Sequence, residues 1–195
     1  MPSWAHLQPV RHLSKARHAG TGPSGSDAVT TPGAHDKAPA LELSPNWDYV
    51  ADTVMGGVSR GKAEHAVIDG RACTRLTGTV SLDNNGGFVQ IAFDPGNGDG
   101  FDAGAYTGIG FDVFGNGETY DIRVRTRALS RPWQSFRAAF GAPPAWTAVR
   151  IPFDGLVPYR TSARFQATAL RRIGILAIGR EMQADIAVTS LQFYR

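Results

Sequence analysis

The sequence has 195 residues, 42% of them apolar and 19% charged, which suffices for one domain with a core and is too short for two full domains. Its 23 glycines and 12 prolines argue against a helical bundle and favour a turn-rich β protein. A single cysteine excludes an internal disulfide, and a net charge of +3 with no basic run longer than two residues argues against a nucleic-acid partner.

The first 45 residues differ in composition from the rest of the chain. Between residues 19 and 45, 14 of 27 positions are Gly, Pro, Ser or Thr, and no apolar period is present. Such a segment buries too little apolar surface to offset the entropy of ordering it. We therefore predict a disordered tail or linker over residues 1–45, whose basic first 18 residues would suit a targeting presequence, and a domain over residues 46–195.

Apolar residues alternate with polar ones at many places in residues 46–195, which predicts short strands with one apolar face each. The alternating stretches lie at residues 80–82, 89–93, 109–113, 120–124, 136–140, 149–151, 173–177 and 186–193. About eight or nine such strands predict an all-β fold in which two antiparallel sheets pack face to face.

Two segments of the sequence support predictions of a particular local structure. The tripeptide Gly-Asn-Gly at residues 115–117 lies between two alternating stretches and predicts a tight hairpin turn with positive φ. Residues 162–171 are the one helix-like segment, with apolar side chains at Ala163, Phe165, Ala167 and Leu170. They predict a short helix.

Candidate catalytic residues are few in the predicted domain. His65 is its single histidine and Cys73 lies in a predicted strand, so no nucleophile and base pair is recognisable. No Gly-x-Gly-x-x-Gly follows a predicted strand, and no phosphate-binding loop occurs. The acids available for glycoside hydrolysis are Asp48, Asp52, Asp112, Asp121 and Asp154, and nothing in the sequence selects two of them. We predict no enzymatic activity and no cofactor.

One acidic loop has the oxygen donors of a calcium site. Asp94, Asn97, Asp99 and Asp102 alternate with glycines, a pattern that can wrap a calcium ion. Asp and Asn are also ordinary loop residues, because their side chains bond their own backbone. The plain loop is the favoured interpretation, and we predict no metal.

Two segments that each contain a Gly-Gly pair form the candidate binding surface. Paired glycines permit backbone conformations and close approaches that a Cβ atom would forbid, so the two turns are predicted to lie against each other or against a ligand. The candidate residues are Trp47, Asp52, Met55, Gly56, Gly57, Asn84, Asn85, Gly86, Gly87 and Phe88. The alternative is structural, with Asp52 and Asn84 capping backbone groups while Trp47 and Met55 fill the end of the sandwich.

Four ordered motifs carry a family resemblance. They are Asp-x-Val-Met-Gly-Gly-Val-Ser at residues 52–59, Leu-Asp-Asn-Asn-Gly-Gly-Phe at 82–88, Gly-Asn-Gly-Glu-Thr-Tyr at 115–120, and Trp146 followed by Val-Arg-Ile-Pro-Phe at 149–153. Together they resemble the complex I intermediate-associated protein 30 family over about residues 46–193. The resemblance implies a galactose-binding-like jelly-roll sandwich. It also implies a non-enzymatic assembly chaperone for NADH:ubiquinone oxidoreductase, with respiratory complex subunits as candidate protein partners.

Two other functions stay open at this point. Carbohydrate binding is favoured by the implied fold and by Trp133, Trp146 and Tyr159, which could stack on sugar rings or pack in the core. A hydrolase using two of the acids is the second. The longest run of apolar residues and glycine is the seven residues 173–179, which predicts no direct membrane insertion. We expect a cytoplasmic, bacterial-type protein, with the mitochondrial matrix as the alternative.

Overall fold

The structure is a computed structural model and describes residues 40–195. It contains twelve β-strands: β1 Leu41–Glu42, β2 Asp48–Ala51, β3 Arg60–Ile68, β4 Arg71–Val80, β5 Phe88–Phe93, β6 Gly108–Gly115, β7 Thr119–Thr126, β8 Ser135–Gly141, β9 Thr147–Pro152, β10 Val157–Tyr159, β11 Leu170–Ile178 and β12 Met182–Tyr194. Short 3-10 turns occur at Asp52–Met55, Asp83–Asn85, Phe153–Gly155 and Ala167–Ala169. The predicted tail falls almost wholly outside the described residues.

The strands form two antiparallel sheets. The first has the order β3-β4-β12-β6-β9, and the second has the order β10-β8-β7-β11-β5-β2. β1 pairs with the end of β12, which brings Leu41 opposite Phe193, so strand pairing already begins a few residues before residue 46. The predicted all-β sandwich of two antiparallel sheets is confirmed.

The core lies between the sheets and follows the period-two pattern of the sequence. In β7, Tyr120, Ile122 and Val124 are fully buried, whereas the intervening Asp121 and Arg123 face outward. The alternation places every second side chain on the same face, so the apolar residues of both sheets meet. The largest fully buried side chains are Tyr120, Phe136, Phe193, Leu76, Ile91, Ile109, Ile122, Leu129, Leu170, Ile173, Ile175 and Ile186.

The predicted hairpin at residues 115–117 is wrong. β6 belongs to the first sheet and β7 to the second, so this turn carries the chain from one sheet to the other. Gly117 has the expected positive φ, +86°, and its N–H donates to the Ala142 carbonyl at 2.8 Å. Alternation shows which face of a strand is apolar, but it does not show which strand lies beside it.

Asn116 and Tyr120 fix this turn against β12. The Tyr120 hydroxyl donates to Asn116 Oδ1 at 2.8 Å and accepts the Asp185 N–H at 2.9 Å. The Asn116 amide donates to the Gln183 carbonyl at 2.7 Å. Burial raises the pKa of Tyr120 to about 12, so this hydroxyl stays protonated and the network is neutral at physiological pH.

The helix predicted over residues 162–171 is also wrong. The segment is irregular or 3-10 up to Ala169, and β11 begins at Leu170. Ala163, Phe165 and Ala167 are half-buried while the residues between them are exposed, which is the alternation of an extended chain. The Phe165 ring packs edge-on against Phe136, with centroids 5.2 Å apart. The half-buried side chains thus recur every second residue, which is the period of a strand, whereas a helix would bury every third or fourth residue.

Among residues 40–195 no helix is long and apolar enough to cross a membrane.

Candidate functional site

The two Gly-Gly segments meet around the buried carboxylate of Asp52. This residue follows β2 and begins the 3-10 turn Asp52–Met55, and its side chain is fully buried. Asp52 Oδ1 accepts the Ser59 N–H at 3.0 Å, and Oδ2 accepts the N–H groups of Gly87 at 2.5 Å and Phe88 at 3.2 Å. The Ser59 hydroxyl also donates to Oδ2. One carboxylate therefore ties together two of the loops that connect the sheets, the one after β2 and the one after β4.

Close packing on Asp52 explains two of the four glycines. A Cβ atom on Gly57 would lie 2.4 Å from Asp52 Cγ, and one on Gly86 would lie 2.5 Å from Asp52 Oδ2. Gly87 has a different reason, since its φ of +127° is one that L residues rarely adopt. The two turns lie against each other, as one of the predicted arrangements has it, and the contact between them runs through Asp52.

Hydrogen bonding keeps Asp52 ionised. Burial alone would raise its pKa, but the hydrogen bonds from Gly87, Ser59 and Phe88 outweigh burial and lower the pKa below its ordinary value. Burial and the negative charge of Asp52 raise the pKa of the nearby Tyr49 hydroxyl. The two oxygens of this carboxylate accept hydrogen bonds from four donors. Such a carboxylate is suited to holding loops in place and poorly suited to proton transfer.

Ser59 is the residue of this site that the sequence analysis missed. It is fully buried, and its hydroxyl accepts the Ser81 N–H at 3.0 Å while it donates to Asp52. It thereby links the end of β4 to the Asp52 turn. Its signal was present in the sequence, because Ser59 is the last residue of the first family motif.

Four large apolar side chains are exposed on the loops that Asp52 joins. Val54 is 71% exposed, Met55 63%, Leu82 49% and Val58 39%. We call these four residues the apolar loop patch. Met55 does not fill the end of the sandwich, which corrects that part of the structural alternative. Asn84 and Asn85 lie beside Leu82, both exposed, with φ of 57° and 60°.

Trp47 lies at the opposite end of β2 from Asp52. It packs edge-on against Phe93, with ring centroids 4.8 Å apart. It also lines a cleft of about 490 Å³ beside β12, together with His65 and Cys73. Phe88, at the start of β5, is half-buried and joins the site through its N–H. Of the ten candidate residues, Trp47 is therefore the one that the structure separates from the others.

The acidic loop is held by its own backbone. Asp94 accepts the N–H groups of Gly96 at 2.8 Å and Gly98 at 3.1 Å, and Asp102 accepts the Gly104 N–H at 2.8 Å. Asn97 and Asp99 are exposed. Within residues 40–195 no three His, Cys, Asp or Glu side chains are grouped so as to hold a metal ion. Asp94 and Asp102 thus make the backbone contacts that aspartates make in ordinary loops.

The remaining reactive side chains have structural partners or stand apart. Asp112 faces outward from the first sheet and contacts Arg71 at 3.2 Å, whereas Asp121 faces outward from the second sheet and contacts Arg123 at 3.4 Å. Burial raises the pKa of the Cys73 thiol, which disfavours a reactive thiolate. His65 is exposed on β3.

Arginine side chains lie over the aromatic rings considered for sugar stacking. Arg131 lies over Trp133 at 6.0 Å, Arg71 over Trp146 at 5.4 Å, and Arg123 over Tyr159 at 4.3 Å. Trp133 is nevertheless half exposed.

A family model described as complex I intermediate-associated protein 30 (CIA30) matches residues 37–188. The chain belongs to the CIA30 family. The match includes both loops tied by Asp52, so the motifs that carried the resemblance are the ones that build this site. No curated protein matches the sequence significantly.

Solved structures similar to this CIA30 family member include carbohydrate-binding modules and agarases. A family 11 carbohydrate-binding module from Clostridium thermocellum, in complex with a beta-1,3-1,4-mixed-linked tetrasaccharide, has a TM-score of 0.65 at 12% identity over 80% of this chain and 95% of the module. A family 30 carbohydrate-binding module has a TM-score of 0.57 at 12% identity, over 81% of this chain and 88% of the module. An exo-beta-agarase has a TM-score of 0.53 at 10% identity, and the similarity covers 80% of this chain and 24% of the agarase chain. At these identities the similarity confirms the jelly-roll fold.

Proposed function

We propose that this CIA30 family member is a non-catalytic protein-binding module whose contact surface is the apolar loop patch. The observation that carries the proposal is the combination of a buried, fully bonded Asp52 with exposed Val54, Met55, Val58 and Leu82 on the loops that it ties. The family supports a subunit of assembling NADH:ubiquinone oxidoreductase as the partner. A protein that binds such a subunit would act in a bacterial cytoplasm or in the mitochondrial matrix.

The physical argument rests on rigidity and exposed apolar area. Apolar side chains that stay in water forgo the free energy of burial, about 25 cal/mol per Å² of apolar surface. The four patch residues lie on two loops that one carboxylate ties together, and clustered exposed apolar residues typically mark interaction sites. Because Asp52 fixes both loops before a partner arrives, little conformational entropy is lost on binding. The patch therefore has the properties of a preformed protein contact.

Replacing the two most exposed patch residues should weaken partner binding strongly and leave folding intact. We expect V54S/M55Q to lower the recovery of NADH:ubiquinone oxidoreductase subunits at least about tenfold in affinity purification from a host that contains the complex. Stability should change by less than about 0.5 kcal/mol, because both side chains are exposed. Quantitative mass spectrometry of the purified material measures the first effect and thermal melting the second.

Val67→Ser is the matched control, because Val67 is 72% exposed on β3, outside the patch. It should leave subunit recovery unchanged. Equal recovery with V54S/M55Q and the unchanged protein would show that the patch is not the contact surface.

Carbohydrate binding is the second candidate, favoured by the half-exposed Trp133 and by the fold shared with the family 11 module bound to a tetrasaccharide. Calorimetric titration with a beta-1,3-1,4-mixed-linked tetrasaccharide tests it. Binding that is lost in Trp133→Ala would support this function, and no heat at millimolar sugar would exclude this ligand.

A further inference from the structure

The outward face of the second sheet places arginines directly opposite one another. Arg123 on β7 pairs with Arg137 on β8, and Arg125 on β7 pairs with Arg172 on β11. We call these four residues the arginine face. Like charges directly opposite each other on neighbouring strands destabilise a sheet. Two such pairs side by side are costly to folding, and an anionic ligand would offset that cost.

The face has too few acids to neutralise these charges. Asp121 Oδ2 is the shared partner of Arg123 Nη2 at 3.4 Å and Arg137 Nη1 at 3.6 Å. Arg125 donates to the backbone carbonyls of Gln134 at 3.2 Å and Arg131 at 2.9 Å, which carry no formal charge. Among the described residues, neither Arg125 nor Arg172 forms an ion pair within 4.0 Å. Asp48, the other acid on this face, is on the edge strand β2. The arginine face therefore carries excess positive charge.

Tyr159 orients two of these guanidinium groups. Arg123 Cζ lies 4.3 Å and Arg137 Cζ 4.9 Å from the centroid of its ring. Arg123 and Arg137 share the one carboxylate of Asp121, and 43% of the Arg137 side chain is exposed. Arg137 is therefore an oriented cation whose N–H groups can reach an acceptor in solution.

We propose that the arginine face binds an acidic peptide segment through its carboxylates. Guanidinium groups present planar pairs of N–H donors that match carboxylate oxygens. A peptide fits better than a sugar chain, because the guanidiniums cover the Tyr159 ring on which a sugar would stack. This site is separate from the apolar loop patch and does not depend on its function.

The test is a fluorescence anisotropy titration of the full chain with a fluorescein-labelled hexaglutamate peptide, at low and physiological salt. Arg137→Gln is expected to weaken binding about tenfold. Arg150→Gln is the matched control: Arg150 also lies over a tyrosine, Tyr194, at 3.7 Å, but on the first sheet. Arg150→Gln alters the net charge of the protein by the same amount as Arg137→Gln. Because Arg150 lies outside the arginine face, this variant should change the affinity by less than about twofold.

Several outcomes would overturn the proposal. Unchanged binding in Arg137→Gln, or an equal loss in both variants, would show non-specific charge attraction. Binding of a hexagalacturonate in preference to the peptide would assign the face to an acidic glycan. Arg172→Gln provides a second measurement if thermal melting shows that Arg137→Gln is unfolded, and an unchanged affinity there also contradicts the proposal. A failure of this test leaves the apolar loop patch untouched, because subunit recovery measures that surface separately.

Discussion

Asp52→Ala is expected to destabilise the domain by about 3–5 kcal/mol. Removal of the carboxylate leaves the buried N–H groups of Ser59 and Gly87, the buried Ser59 hydroxyl and the part-buried N–H of Phe88 without their acceptor. Each buried donor that loses its partner costs about 1–3 kcal/mol, and local relaxation recovers part of the sum. Urea denaturation followed by tryptophan fluorescence measures the change in the free energy of unfolding.

The same carboxylate should make stability depend on acid pH. Its pKa in the folded protein is lowered, so the unfolded chain binds the proton more readily. The stabilisation is complete above the unfolded pKa of about 4, and it is lost as the pH falls from there through the lower pKa of the folded state. In Asp52→Ala this part of the pH dependence should be absent.

Asp154→Ala is the control for this substitution. Asp154 is exposed in the 3-10 turn Phe153–Gly155. Its removal should change stability by less than about 0.5 kcal/mol. A similarly small effect of Asp52→Ala would mean that Asp52 does not hold the loops.

Gly57→Ala is expected to cost about 2–4 kcal/mol, although the φ of Gly57 is not positive. The added Cβ would lie 2.4 Å from both Cγ and Oδ1 of Asp52, so either the turn or the buried carboxylate must shift. Gly141→Ala is the control, because no atom lies within 4 Å of a Cβ placed there. Chemical denaturation of both variants measures the difference, and equal stabilities would contradict the close approach of Gly57 to Asp52.

Local patterns were enough to predict the sandwich. Alternation located β5 to β9, β11 and β12 because each of these strands buries one face, and this information is present in a few consecutive residues. It did not locate β1, β2, β3 or β10. The order of strands was not predictable in this way, since nothing near residues 115–117 shows that β6 and β7 lie in different sheets. Residues 162–171 do not form a helix because their apolar side chains are spaced two residues apart, which is the period of an extended chain.

The sequence indicated which residues belong to the candidate site but not which contacts hold them together. The Gly-Gly pairs pointed to a close approach, yet the sequence did not show that the approaching group is the Asp52 side chain. The contact joins residues that lie 35 positions apart, and such pairings depend on the whole fold. The same holds for the arginine face, where Arg123 and Arg137 become neighbours through strand register alone.

Site-specific photo-crosslinking tests the central claim that the loops tied by Asp52 present a protein-binding surface. A photoreactive benzoylphenylalanine would replace either Val54 or Val67, which are 71% and 72% exposed. Irradiation in cells that contain NADH:ubiquinone oxidoreductase should give a crosslink to one of its subunits from position 54 and none from position 67. Equal yields from both positions, or no subunit captured from position 54, would contradict the account.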